Sequence, residues 1–120
     1  MSGKFSRDTV FAADDHRLYN RKGESFDRGE TFSGIDYETQ LDAVEKLRII
    51  IPRRMTMAQF ALRWILMFDA VTAAIPGAKR VSQVEENIAA GDFPPIAATR
   101  MKQIQTLYTQ LIRSHVHHYW

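Results

Sequence analysis

Val71-Thr72-Ala73-Ala74-Ile75-Pro76-Gly77-Ala78-Lys79-Arg80-Val81-Ser82-Gln83-Val84-Glu85-Glu86-Asn87 is the stretch from which the rest of the sequence can be ordered. A short, β-branched apolar run stops at Pro-Gly, passes two cations and restarts as a helical pattern. The reading is a strand over 71–75, a loop, and a helix head. A helix head offers unpaired backbone N–H groups and the positive end of the macrodipole, so a tight glycine-containing loop before it suits a phosphate. Lys79 and Arg80 add charge. Gln83, Glu86 and Asn87 are spaced i, i+3, i+4, which sets three polar groups on one helix face, where they could read the edge of a base. The plainer reading stands beside this one. Pro-Gly turns before helices are common, and a Glu-Glu-Asn run is more often a solvated face than a ligand site.

Taken together, Ile75-Pro76-Gly77-Ala78-Lys79-Arg80, then Gln83, then Glu86-Asn87, resembles the last strand, loop and helix of the aldo-keto reductases. In that family the segment grips the adenosine 2′-phosphate of NADP(H). The resemblance implies that Gly77 and Lys79 face the 2′-phosphate, that Gln83 lies against the adenine, and that Glu86 and Asn87 meet its edge. Many members carry an arginine where this chain has Gln83, which lacks the planar cation. The chain thus matches the branch that uses glutamine, and its preference for NADP over NAD stays open.

The N-terminal third carries a weaker likeness. Ser2-Gly3-Lys4-Phe5 is similar to a stretch that follows the seventh barrel strand of the family, which makes Lys4 a second candidate cofactor contact; read alone it is a surface lysine. Residues 6–34 show neither a period of two nor one of 3.6, and a segment of that length without periodicity is usually a lid or a loop. It resembles the long family loop over the cofactor. Asp14-Asp15-His16-Arg17 resembles an Asp-x-x-Arg element there, so Arg17 is a candidate phosphate contact; by themselves the four residues read as a solvated charge cluster. His16 beside two aspartates lacks the spacing of a metal site.

Length limits what the resemblance can mean. A (β/α)₈ barrel takes ~250 residues, and this chain has 120. The expected fold is therefore mainly α with one short β-strand, the C-terminal fragment of a (β/α)₈ TIM barrel, with 1–35 irregular and cofactor-loop-like and 36–120 helical. A net charge of +2 gives no reason to expect nucleic acid as a partner. With no cysteine there is neither disulfide nor thiolate metal site. No apolar run approaches the length of a membrane span and no signal peptide is visible, so a cytoplasmic protein is expected.

The helices have clear punctuation. Asp36 precedes the stripe Tyr37, Leu41, Val44, Leu47, Ile51, and Pro52 stops it. Thr56-x-x-Gln59 is a capping box, with Met55 and Phe60 as its hydrophobic staple. The run from Ala58 to Phe68 is then apolar nearly all round, which expects burial on several sides. Phe60, Leu62, Trp64, Ile65, Leu66 and Phe68 would contribute about 1.5 to 3 kcal/mol each if fully buried. Two neighbouring helices cannot cover all of that, so the remainder should seek the missing barrel half or a second copy. Gly91 is expected to terminate the helix after the loop, Phe93-Pro94-Pro95 to make an extended turn, and Thr99 to Arg113 to form a last amphipathic helix. The tail His115-Val116-His117-His118-Tyr119-Trp120 reads as aromatic docking or disorder rather than a ligand cluster.

Aldo-keto reductases use a Tyr, Lys, Asp and His set from the first half of the barrel, and nothing here matches those motifs. Tyr19, Tyr37, Tyr108 and Tyr119 lack the context that lowers a phenol pKa. The resemblance therefore implies the C-terminal, NADP(H)-binding portion of such an enzyme, with no catalytic residues and no activity alone. The alternative is a helical interaction module derived from a reductase, which would oligomerise or bind a partner through Phe60, Trp64 and Phe68. A lone strand has unpaired edges, so residues 71–75 should be irregular or pair with a second copy.

Overall fold

Asp36 sets the start of the longest helix, its carboxylate accepting from the amides of Glu38 and Thr39 at 3.1 and 3.2 Å. This is the helix α2, Tyr37–Ile50. Pro52 disfavours the α conformation at the residue before it, and Ile51 is accordingly extended. The chain is seen here in a computed structural model that describes residues 5–119. Before α2 come the single turn α1, His16–Tyr19, and two 3-10 turns, Arg28–Glu30 and Phe32–Gly34. After it come α3, Met57–Ile65, α4, Val81–Asp92, and α5, Ala98–Leu107. A π-helical segment, Tyr108–Ile112, joins α5 to the short α6, Arg113–Val116.

The capping box at Thr56 forms as the sequence predicts: Thr56 Oγ1 accepts from Gln59 N at 3.2 Å, and Gln59 Oε1 accepts from Thr56 N at 3.0 Å. Met55 and Phe60 are both buried, with Phe60 only 4% exposed. Bonds from the Met67 and Phe68 amides to Trp64 and Ile65 tighten the end of α3, and the chain leaves the helix there.

Two apolar clusters hold these elements, and α2 belongs to both. Toward its C-terminal end, Ile50 meets Met55, Phe60 and Ile96, with Leu47, Trp64, Phe93, Met101 and Ile104 packed around them. At its N-terminal end, Tyr37 and Leu41 meet Phe11, with Phe5 and Phe32 alongside. α4 lies on α3, α5 lies on α2, and α6 lies against the Phe32–Gly34 turn. Arg100 ties α5 to α2 by donating to the carbonyl of Ile50. The loop before α2 has a polar centre instead: buried Asn20 donates to Thr31 Oγ1 at 3.0 Å and accepts from the Ser25 and Phe26 amides at 2.8 and 2.9 Å. The radius of gyration is 15.5 Å, against about 14 Å for a compact domain of this length.

The expected strand is absent. Residues 71–75 are irregular, with a bend at Thr72, and the described residues contain no strand. A strand exists only as one of a pair, and no second extended segment lies beside this one; Ile75 is 98% exposed. Gly91 does not end α4 either. The helix runs through it to Asp92, and the stop comes from Pro94, which holds Phe93 extended. Among the described tail residues Val116 is buried, while Tyr119 stays exposed beside His118; Trp120 lies outside the described residues.

Candidate cofactor-binding site

The loop that the sequence singles out is outside the helix and open to solvent. α4 starts only at Val81, with Arg80 extended at its N-cap, and Gly77, Lys79 and Glu86 are exposed. Gln83 and Asn87 are half-buried. The loop is held by Gln83 itself, whose Oε1 accepts from Lys79 N at 2.7 Å and from Arg80 N at 3.2 Å. This reciprocates the Gln83 N to Arg80 O bond of 3.0 Å, so the glutamine side chain closes the turn onto the helix head. Its amide nitrogen is left for anything lying against the helix.

Gly77, like Gly91, is not constrained by its surroundings among the described residues. Its φ is not left-handed, and a Cβ built on it would meet no heavy atom within 4 Å. Neither backbone conformation nor packing within the chain demands glycine at this position. A residue without a side chain is what close approach of a ligand to backbone requires. Of the first-turn amides of α4, that of Gln83 already donates to Arg80 O; those of Val81 and Ser82 have no carbonyl one turn back to receive them. Lys79 and Arg80 form no ion pair among the described residues, and neither does Glu86. Two cations and the positive end of a helix thus stand together, with Glu86 and Asn87 one turn further on.

α4 is positioned from behind. Gln59, already part of the cap of α3, also donates from Nε2 to the carbonyl of Glu86 at 3.3 Å. That bond fixes the rotation of α4 against α3 at the residue whose carboxylate the adenine-edge reading uses. The sequence shows Gln59 as a capping residue; its reach to Glu86 is not visible there, because the bond joins two helices across 27 positions.

Arg17 stands elsewhere. Asp15 caps α1 and holds the guanidinium of Arg17 through Nε at 2.8 Å, and that guanidinium lies over the rings of Phe5 and Phe11, about 5 Å from each centroid. Hydrogen bonds from the Arg17 guanidinium, and from the Arg17 backbone amide, hold the Asp15 carboxyl down at about 2. Arg17 is therefore largely satisfied within its own loop. No hydrogen bond, ion pair or ring contact joins it to Gly77, Lys79, Gln83, Glu86 or Asn87 among the described residues. Lys4 lies outside the described residues.

No group of three or more His, Cys, Asp or Glu side chains capable of sharing a metal ion occurs among the described residues. His117 Nδ1 lies 2.9 Å from the Tyr108 hydroxyl, a pairing within the C-terminal helices. No helix among the described residues is long and apolar enough to cross a membrane.

Comparison with known proteins identifies relatives of the chain. Over 68 residues, 56% of its length, the chain is 41% identical to the L-glyceraldehyde 3-phosphate reductase of Escherichia coli (strain K12). The chain covers 20% of that relative. No solved structure matches it. The family model described as "Aldo/keto reductase family" matches residues 2–109. The helices, the glycine loop and a match over nearly the whole chain make one statement, that this chain belongs to the aldo/keto reductase family.

Proposed function

We propose that the chain is the C-terminal, adenosine-binding portion of an NADP(H)-dependent aldo-keto reductase of the cytoplasm, and that it reduces no carbonyl by itself. The observation that supports this most is Gly77. Neither its φ nor its surroundings among the described residues require the missing side chain, while the groups around it include donors and cations suited to a phosphate. Gly77 and the first-turn amides of α4 would admit the 2′-phosphate, and Lys79 with Arg80 would neutralise it. Glu86 accepts and Asn87 both donates and accepts, which suits the edge of an adenine. Lys4 and Arg17 would reach the cofactor only where their loops are drawn over it. When bound, NADP(H) supplies the hydride; the residues of this chain bind and orient it. The exposed apolar side chains Phe68, Ile75, Val81 and Ile88 are taken to meet the rest of a barrel. Family membership does not favour a separate interaction module, and Phe60, one of its three expected contacts, is buried in the chain's own core.

Nucleotide titration of the full chain tests the reading. NADP⁺ and adenosine 2′-phosphate should shift the amide resonances of residues 77–87, and Glu86→Ala with Asn87→Ala should abolish the shifts. NADPH with a panel of aldehydes should give no rate above blank. Turnover, or nucleotide shifts that survive both substitutions, would defeat the proposal.

A further inference from the structure

A second place in the molecule gathers charge without a counter-charge. An open groove of about 380 Å³ runs between α2 and the C-terminal helices, lined by Lys46 from one side and by Lys102, Gln103, Thr106, Leu107 and Gln110, among others, from the other. Its walls are mainly hydrocarbon, as lysine stems and Leu107 would make them.

Among the described residues the two lysines form no ion pair, for identifiable reasons. Asp42, one turn before Lys46 on α2 and its natural i,i+4 partner, is bound to Arg7 at 2.5 Å. Glu45 is bound to Arg48 at 3.0 Å. Residues 93–120 contain no Asp or Glu at all, while Arg100, Lys102 and Arg113 all fall there. Thus neither Lys46 nor Lys102 forms an ion pair among the described residues. Thr106 spends its hydroxyl proton on the carbonyl of Lys102 at 3.0 Å, so the neutral donors left to the groove include the Gln103 and Gln110 amides.

We infer that this groove binds a small soluble phosphate monoester, its dianion between Lys46 and Lys102 and its organic group on Leu107. Two ammoniums without a carboxylate match a dianion, and the hydrocarbon wall matches an organic substituent better than bare phosphate. The site is distinct from the nucleotide loop, since its walls are α2, α5 and the π segment, whereas Gly77 to Asn87 belong to the loop and helix that pack on α3.

Phenyl phosphate titrated into the isotope-labelled full chain at low salt tests this. Expected are saturable shifts confined to Lys46 and to residues 99–110, with affinity lowered about tenfold or more in the Lys46→Gln/Lys102→Gln double variant. Benzyl alcohol should shift nothing. Both lysines are exposed, so the variant should keep the wild-type circular dichroism. Shifts that never saturate, shifts equal in the double variant, or sedimentation of the chain with phosphatidic-acid vesicles while phenyl phosphate moves no resonance would overturn the inference. NADP⁺ shifts at residues 77–87 report on the other site, so either reading can fail alone.

Discussion

Replacing Gln83 separates holding the loop from meeting the nucleotide. In Gln83→Ala the amides of Lys79 and Arg80 lose their shared acceptor, at 2.7 and 3.2 Å in the native chain. A neutral hydrogen bond contributes about 0.5 to 1.5 kcal/mol, and the exposure of this loop puts both bonds at the low end. A local loss of about 1 kcal/mol corresponds to about fivefold faster amide exchange at the two positions. Gln83→Glu keeps an acceptor and strengthens it by charge, so exchange at Lys79 and Arg80 should not accelerate. It also sets a carboxylate beside the proposed phosphate, so NADP⁺ shifts should vanish although the loop is intact. Gln83→Arg removes the acceptor and adds a cation: fast exchange, with nucleotide binding retained. Hydrogen exchange read by NMR, with a parallel nucleotide titration, gives both quantities on each variant. Unchanged exchange in Gln83→Ala would show that the turn does not depend on the glutamine, and the account of this loop would be wrong.

Gly77→Ala should leave stability unchanged or raise it by about 0.4 to 1 kcal/mol, because φ is ordinary and the space is empty, while weakening nucleotide binding; urea unfolding and titration would show the opposite signs. Phe60→Ala, at the centre of the larger apolar cluster, should cost about 3 to 5 kcal/mol in urea unfolding, whereas an equal truncation at exposed Phe68 should cost far less. Asn20→Ala strands Thr31 and two amides at about 1 to 3 kcal/mol for each group left unpaired, and should be seen as lost exchange protection at Ser25 and Phe26. The Asp15 carboxyl sits below its unfolded value, so its pairing with Arg17 stabilises the fold above the ordinary carboxylate range and is lost as pH falls toward about 2. A ¹³C titration of that carboxyl should give a midpoint near 2; a midpoint near 4, the unperturbed value, would mean the pair does not form in solution.

What could be read from sequence was what is decided within a turn or two of the chain. Asp36, Pro52 and the Thr56–Gln59 box mark the limits of α2 and the start of α3 because each acts on backbone groups within four positions. The helix head at Val81 was legible for the same reason. Gly91 misled, because glycine permits a helix to end without forcing it; proline three residues on did the forcing. Residues 71–75 have the composition of a strand, but pairing is a property of two segments and only one is present. In the N-terminal segment the Asn20–Thr31 bond spans 11 positions, and no periodicity announces a polar knot. Within the candidate site, the spacing of Gln83, Glu86 and Asn87 was plain, but the use of Gln83 to close its own loop appears only when distances are known.

α2 enters two apolar clusters that share no side chain. Its first turns belong to the aromatic group of Phe5, Phe11 and Phe32, its last to the group around Phe60. The loop that carries Arg17 packs directly on one end of this rod, whereas the loop that carries Gly77 is tied to the other end only through α4 and α3. Heat or denaturant could release either end while the other stays assembled, and the helix between them would then melt from one tip inward instead of all at once. A ligand held at both loops would couple the two ends and oblige the two halves to unfold together.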